Sequence, residues 1–403
     1  MSDMPLVVVD HPLGGIPHDD VRLKADKAID DIISTATTWV PTEKSLKVKN
    51  AYPAATVNVT DTLEAINDVF YKNAWTDGLP IIPPTVERVE DMLSGTHLKP
   101  DQVIGLIPPR MGAATVQVIA INAVMAGAKP EHLPVIIAAV KAALEPKIDL
   151  RRWLTTTLGN FISLFVQGPI VKELGIHYGQ SALLPGPKPN AAIGRAFNLV
   201  IRLVGGVIAS ADRPGTMATL GTPNYSFCLG EHEDALPKGW NPLRVDLGHT
   251  VEDSVVSVFA APWPLFQNDH DSTNGRDVLL STCYRIGGCL MRIGAGGFGG
   301  GMVILFGPEH AATIAREGYS KEDVKQFIFE NAKTPREWLL KGGAWHIVRE
   351  EHPQWIKKAV ADGTPMIHQF NSPEQITISV AGGAGKQSLL GIGCSAPLPA
   401  LIE

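Results

Sequence analysis

The sequence predicts an α/β protein with mixed sheets and flanking helices, and it leaves open whether the chain contains two similar α/β halves. Short apolar runs at 161–166, 255–260, 302–306 and 376–380 are typical of strands, and the first has the composition of a strand buried on both faces. Stretches with helical periodicity alternate with these runs, as in an α/β fold. The 403 residues also exceed a typical single domain.

Several predicted helices begin at residues whose side chains can cap a helix. Thr85 precedes one apolar-periodic stretch, and Ser320 with Asp323 precedes another. Asn190 stands before a third stretch, and we predict that it is the N-cap of that helix.

We divide the chain into an N-terminal arm over 1–58, a first α/β region over 59–250, and a second α/β region with glycine-rich loops over 251–403. The arm combines a short strand, a helix with one apolar stripe and an aperiodic linker. A lone helix of this length is marginal in water, so its stripe must be buried on the chain's own body or on another subunit. We expect the second, and therefore a homo-oligomer or a hetero-oligomer.

Composition excludes several classes of partner. A net charge of −6 and a pI near 6.1 argue against binding to nucleic acid or to an anionic membrane, because both need a basic surface. Four cysteines without close pairing fit a reduced, cytoplasmic chain, and the N-terminus has no apolar stretch typical of a signal peptide. The longest charge-free stretch, 153–171, is interrupted by polar residues, glycine and proline, which favours a buried strand and loop over a membrane span.

The richest concentration of reactive side chains lies at 263–311, which opens with the triplet Asp269, His270 and Asp271. A neighbouring carboxylate can fix the orientation and tautomer of a histidine, as acid/base catalysis requires. We therefore predict His270 as an acid/base group, oriented by Asp269 or Asp271. The alternative is a solvated loop histidine. If a metal is bound, the candidate ligands are His270, Glu231 and His310, although none has a diagnostic spacing.

Two cysteines and a glycine-rich loop follow the triplet. Cys283 and Cys289 are six residues apart, which matches neither a redox nor a zinc motif, so buried thiols are the default interpretation. If one is a nucleophile, Cys289 is favoured because it adjoins the glycine-rich run. Backbone amides of this run are predicted to stabilise developing negative charge, namely those of Gly296, Gly297, Gly299 and Gly300.

Other candidate substrate-binding residues are cationic or lie in turns. Arg195 lies near the start of the helix that Asn190 is predicted to cap, and Lys386 follows a strand and a glycine loop. Both positions are suited to holding a substrate anion. Asn190, at the predicted start of that helix, is also a candidate substrate-binding residue. Asp77 lies in a turn that either presents it to a cleft or serves as a rigid connector. Neither a phosphate loop nor a dinucleotide fingerprint is present, so the sequence indicates no nucleotide cofactor.

One local sequence is repeated. Pro130-Glu131-His132 and Pro308-Glu309-His310 each follow a glycine and begin a helix. The repetition is what a duplication into two similar halves would leave.

Several stretches resemble a family of poorly characterised bacterial α/β proteins that are often encoded beside UGSC-type proteins, which are small proteins with a cysteine or selenocysteine motif. The matching segments are 76–80 with 83–85, 121–127, 190–196, 268–270, 307–311 and 380–386. Separately, 11–29 resembles the C-terminal end of UGSC proteins. The UGSC motif itself is absent from this chain, so no thiol chemistry is carried over to any residue. The resemblance implies a cytoplasmic α/β protein that works with a thiol-bearing partner, and it implies no particular reaction.

We therefore predict an enzyme, or the larger subunit of one, that acts on a small, anionic organic substrate. Hydrolase or lyase chemistry centred on His270 is favoured over nucleotide-dependent oxidoreduction, because no dinucleotide fingerprint is present. The alternative is a non-catalytic scaffold subunit that docks a thiol or selenol protein through residues 1–50. Whether a metal or another cofactor takes part stays open.

Overall fold

The structure is a computed structural model, and it divides the chain into two compact units, Met1–Asn50 and Ala51–Glu403. The residues that it describes are 7–10, 13, 16–40, 52–59, 62–156, 160–184, 186–207, 228–262, 265–288, 301–341 and 354–403.

The first unit contains the helix α1 (His18–Thr38). Asp19 and Asp20 lie in its first turn, where acidic side chains stabilise the positive end of the helix dipole. Only Ala28 is buried in this helix, while Ile29, Ile32 and several other large apolar side chains are exposed. The larger side chains of the apolar stripe predicted from the sequence, Ile29, Ile32 and Ile33, are therefore exposed.

The second unit alternates helices and strands. Its helices are α2 (Leu63–Lys72), α3 (Val86–Leu93), α4 (Val116–Met125), α5 (Leu133–Ala143), α6 (Leu150–Thr155), α7 (Ile170–Glu173), α8 (Lys188–Leu199), α9 (Leu243–Asp246), α10 (Gly275–Gly287), α11 (Pro308–Arg316), α12 (Lys321–Asn331), α13 (Arg336–Lys341) and α14 (Gln354–Ala361). Its strands are β1 (Val103–Ile107), β2 (Gly112–Thr115), β3 (Asn160–Gln167), β4 (Cys228–Gly230), β5 (Val255–Pro262), β6 (Leu265–Asn268), β7 (Gly301–Phe306), β8 (Lys333–Pro335), β9 (Met366–His368), β10 (Ile376–Val380), β11 (Gln387–Cys394) and β12 (Leu398–Leu401).

Two four-stranded mixed sheets form the centre of this unit. Sheet I has the order β4-β3-β5-β12, and sheet II has the order β10-β7-β11-β6. In each sheet the first two strands are parallel, and the remaining pairs are antiparallel. The chain passes from β5 in sheet I to β6 in sheet II, and from β11 in sheet II to β12 in sheet I. The sheets thus share one topology and exchange their edge strands, and the α/β prediction is confirmed.

The two sheets pack face to face, with helices on their outer sides. Phe165 and Phe259 of sheet I meet Leu305 and Leu389 of sheet II in one buried cluster. The outer face of sheet I packs on α4, α5 and α8, and that of sheet II packs on α10, α11 and α12. Burying a phenylalanine or leucine side chain stabilises the fold by about 1.5–3 kcal/mol, so this central layer fixes the spacing of the sheets.

The strand runs predicted from composition are confirmed, since they form β3, β5, β7 and β10. All eight residues of β3 are buried, as its apolar sequence indicates. Within the described residues, no helix combines the length and the apolar character needed to cross a membrane.

The predicted caps have different outcomes. The Thr85 hydroxyl accepts from the Arg88 amide, and Ser320 with Asp323 forms a capping box, so both predictions are confirmed. The prediction for Asn190 is wrong, because α8 begins at Lys188 with Pro187 in the N-cap position. The Asn190 side chain instead forms hydrogen bonds with residues outside α8.

The division of the strands between the two sheets does not follow their order along the chain, because each sheet contains a strand that lies next in sequence to strands of the other. Both β5 and β12 lie beyond residue 250 yet belong to sheet I. The repeated Pro-Glu-His also occupies non-equivalent places, because Pro130–His132 lies before β3, whereas the segment beginning at Pro308 follows β7. The topologically equivalent positions are Gly168-Pro169 after β3 and Gly307-Pro308 after β7.

Candidate functional site

The carboxyl ends of β7 and β10 in sheet II open onto a cavity of about 410 Å³. One wall is the loop 180–184, another is the glycine loop 381–385, and the floor includes Leu229, Leu305 and Leu389. Ligands of open α/β sheets commonly bind outside the carboxyl ends of parallel strands. This position makes the cavity the principal candidate site among the described residues.

Three glycines determine the path of the glycine loop. Gly382 and Gly385 have φ angles of +95° and +127°, which side-chain-bearing residues rarely adopt. Gly383 approaches the opposite wall so closely that a Cβ atom there would lie 2.5 Å from the Cα atom of Gln180. The two walls can therefore meet only because this position lacks a side chain.

Hydrogen bonds around Gly382 join the walls of the cavity. Its amide donates to the carbonyl oxygen of Tyr178 at 2.8 Å, and its own carbonyl oxygen lies 2.8 Å from Nδ1 of His232. Because a carbonyl oxygen can only accept, His232 carries its proton on Nδ1. The rings of Tyr178 and His232 also contact each other, with centroids 4.9 Å apart. In the sequence, His232 lies in an acidic stretch typical of a solvated loop, so its neighbourhood gave no signal of this link.

The predicted acid–His–acid triplet lies at the edge of sheet II, after β6. Both carboxylate oxygens of Asp269 accept from Ser272, one from its amide at 3.0 Å and one from its hydroxyl at 2.8 Å. Burial would raise the pKa of Asp269, but these hydrogen bonds outweigh it and hold the pKa below its usual range. His270 and Asp271 are exposed, and no hydrogen bond joins His270 to either acid within the part of the chain that the structure describes.

Lys386 brings the triplet and the glycine loop together. Its ammonium group donates to the carbonyl oxygens of His270 at 3.0 Å and Ser272 at 2.8 Å. The amide of Asp269 also donates to the Lys386 carbonyl oxygen at 3.2 Å. The lysine predicted to hold a substrate anion therefore anchors the His270 loop beside the cavity.

His310 forms a buried pair with Ser388. Its Nε2 lies 3.2 Å from the carbonyl oxygen of Asp269 and must donate there, so Nδ1 accepts the Ser388 hydroxyl proton at 2.7 Å. Burial lowers the pKa of His310, which favours the neutral imidazole. Serine beside a neutral histidine is the arrangement of an activated nucleophile. Ser388 borders the cavity, but alternation along β11 directs its side chain away from the face of Leu389, and its hydroxyl also accepts from Gly307. The pair therefore fixes the start of α11 to sheet II.

Two predicted substrate-binding residues, Asp77 and Arg195, pair with each other. Arg195 donates to both carboxylate oxygens of Asp77 at 2.9 Å and to the Pro80 carbonyl oxygen at 2.9 Å. Burial would raise the pKa of Asp77, yet the bonds and charge of Arg195 hold it below the usual range. This ion pair fixes the turn at 76–80, which supports the rigid-connector interpretation of that turn.

Asn190 and Glu231 are buried in the interior instead of facing a cleft. The Asn190 carboxamide bonds to the amide and carbonyl of His177 and to the Cys228 carbonyl. Glu231 is 1% exposed and accepts from the Leu243 amide at 2.9 Å and from the Ser379 hydroxyl. Burial raises the pKa of Glu231 to about 7. Both side chains connect segments that are distant in the sequence.

The metal and thiol candidates have no common site in the described residues. His270, Glu231 and His310 do not converge, and no group of three His, Cys, Asp or Glu side chains there is placed to hold a metal ion. Burial raises the pKa of Cys283 to about 12, which is typical of an unreactive core thiol. The remaining predicted site residues lie outside the described residues, namely Cys289, Gly296, Gly297, Gly299 and Gly300.

Comparison with protein-family models, curated proteins and solved structures found no match to this chain.

Proposed function

We propose that this chain binds a small organic molecule in the cavity between 180–184 and 381–385, and that it is an enzyme or the larger subunit of one. The supporting observation is the place of this cavity at the carboxyl ends of two parallel strands, with walls that are largely apolar and carry a few polar groups. A volume of about 410 Å³ is within the usual range of small-molecule sites.

His270 is the acid/base group of this proposal, in hydrolase- or lyase-type chemistry. Its loop is anchored to the glycine loop through Lys386, and its side chain is exposed and therefore accessible to a ligand. Lys386 and Arg195 are already bound to protein acceptors, so the proposal assigns ligand contact to the glycine loop and to loop 180–184.

The binding site is tested by blocking the cavity. Ala182 is half-buried in the cavity wall, and Ala182→Trp should fill the space without removing any core contact. A library of small organic molecules is screened for compounds that raise the melting temperature, because ligands of the native state stabilise it. The matched control is Ala361→Trp at the exposed end of α14. Compounds that stabilise both variants as they do the wild type would contradict the proposed site.

The role of His270 is tested on compounds that pass this screen. His270→Ala should abolish their turnover and leave the melting temperature unchanged, because an exposed loop side chain contributes little to packing. His97→Ala is the control, since it replaces another exposed histidine, one that does not line the cavity. Wild-type turnover in His270→Ala would exclude His270 as the acid/base group.

One observation favours the second candidate function, a non-catalytic subunit that docks a partner protein through residues 1–50. Leu23, Ile29, Ile32 and Ile33 of α1 are each more than 40% exposed. Exposed apolar stripes of this kind mark interaction surfaces. Under this alternative, removal of residues 1–50 abolishes partner binding, while His270→Ala has no effect on the activity of the assembly.

A further inference from the structure

The described part of the cavity wall contains no ionisable side chain. Its described lining consists of apolar residues, glycines, glutamines and serines. A charged group buried there without a partner would lose its hydration at a much greater cost than a neutral polar group. The lining therefore selects against ions of either sign.

The charged side chains nearest to the glycine loop do not make the cavity favourable for an anionic ligand. The ammonium of Lys386 is held by two carbonyl oxygens. The carboxylate of Glu309 accepts from the amide of Gly385 at 3.2 Å, so that amide is occupied and a negative charge lies beside the loop. A carboxylate ligand would meet this charge and would find no free cation in the described lining.

The wall nevertheless offers hydrogen bonds to a neutral ligand. Gln387 lies on the same face of β11 as Leu389, which forms the floor, and its carboxamide has no partner among the described residues. The backbone amides of Gly383 and Ala384 are likewise without a partner there. Free N–H groups match a carbonyl oxygen of the ligand, and the oxygen of a carboxamide matches an N–H group.

From these observations, and resting on the proposed function, we infer that the cavity takes an uncharged carboxamide-type ligand with an apolar body. Leucine, alanine and phenylalanine side chains of the lining contact the apolar body, and the glycine loop with Gln387 binds its amide group. The substrate is therefore a neutral amide, and not the anion that the sequence predicts.

The test uses matched probes that share an apolar body and differ in the polar group and its charge. Benzamide and hexanamide are compared with benzoate, hexanoate, benzylamine and hexylamine by calorimetry and thermal unfolding of the full-length protein. The amides should bind at least about tenfold more tightly than either charged series, because burial of an unpaired charge is disfavoured. Gln387→Leu should weaken amide binding about tenfold, the usual scale for loss of one hydrogen bond to the ligand. Binding of ethylbenzene, an apolar control without a hydrogen-bonding group, should stay unchanged.

Ala182→Trp separates failure of this inference from failure of the proposed function. If the amides bind and Ala182→Trp abolishes binding, the inference is supported. If the carboxylates bind more tightly and Ala182→Trp abolishes that binding, the cavity is the site but the ligand class is wrong. Binding that persists in Ala182→Trp, or no binding by any probe at millimolar concentration, would overturn both.

Discussion

The carboxyl ends of the parallel strands in sheet I and sheet II occupy equivalent places in the topology, yet one is filled and the other is open. In sheet I, Glu233 follows β4, accepts from the Gly168 amide at 2.8 Å and pairs with Arg244. In sheet II, the segment after β10 is the glycine loop, and a cavity lies where sheet I has this ion pair. The same strand arrangement thus serves as a rigid joint in one half and as a candidate binding site in the other.

The difference follows from the side chains that succeed each strand. The sheet I end carries carboxylates, which require partners when they are buried, and Arg244 supplies one with a side chain only 4% exposed. The sheet II end carries glycines and alanines, which leave backbone groups and empty space. We expect the first end to dominate stability and the second to dominate binding.

The largest expected effect is the loss of the ion pair in sheet I. Arg244→Ala leaves the partly buried Glu233 without its cation and leaves the Val251 carbonyl oxygen without this donor. The free energy of unfolding should therefore fall by about 3–5 kcal/mol. Chemical denaturation measures this change. Lys172→Ala, which removes an exposed ion pair with Asp234, is the control and should leave the midpoint nearly unchanged. Equal effects of the two substitutions on the free energy of unfolding would show that the ion pair at the end of sheet I does not dominate stability.

The next effect concerns pH and the buried carboxyl group of Glu231. Its pKa is about 7 in the folded protein against an ordinary value of 4.5 for an exposed glutamate, so the unfolded chain loses this proton first as pH rises. The contribution of the protonated Glu231 to the free energy of unfolding is complete below pH 4.5. It falls by roughly 3 kcal/mol as the pH rises from 4.5 to about 7.

Glu231→Gln should remove this part of the pH dependence, because a carboxamide does not titrate and can still bond to Leu243 and Ser379. Denaturation is compared at pH 5 and pH 8, with the exposed Glu64→Gln as control. An unchanged difference between the two pH values in Glu231→Gln would show that Glu231 is not the group responsible.

A smaller effect on stability is expected at the open end of sheet II. Gly383→Ala places a methyl group against Gln180, and such overpacking costs about 1–3 kcal/mol. It should also separate the cavity walls and abolish the thermal shift produced by ligands. Gly179→Ala is the control, since its new methyl group would meet nothing closer than 3.8 Å. Normal ligand binding by Gly383→Ala would show that the openness of sheet II does not depend on this glycine.

The smallest effect on the two sheets is expected from removing the first unit. Deletion of residues 1–50 takes away α1 and leaves the unit that contains both sheets. Circular dichroism of that unit should retain its helix and strand signal. If α1 docks on another subunit, as the sequence predicts, light scattering should report a monomer. The melting temperature followed by circular dichroism should then fall, because the deletion removes that contact. An unchanged mass and melting temperature would refute the docking role of this segment.

The sequence by itself determined elements whose cause is local. The apolar runs that become β3 and β7 had few alternatives to a buried strand, because exposing such residues is unfavourable. Thr85 and Ser320 were identifiable as caps because their bonding partners lie three residues away. For such features, the interacting groups are within one helical turn or one strand of each other.

Only the tertiary structure decided the partners that come from distant segments. Asp77 and Arg195 are 118 positions apart, and each was predicted separately as a substrate-binding residue before the fold paired them. Asn190 is of a residue type that commonly caps helices, but its side chain is held in the interior by hydrogen bonds to His177 and Cys228. The cavity likewise arises where 180–184 meets 381–385. Local patterns carry no information about such meetings, because a buried polar group takes whichever satisfying partner the packing of the two sheets brings within reach.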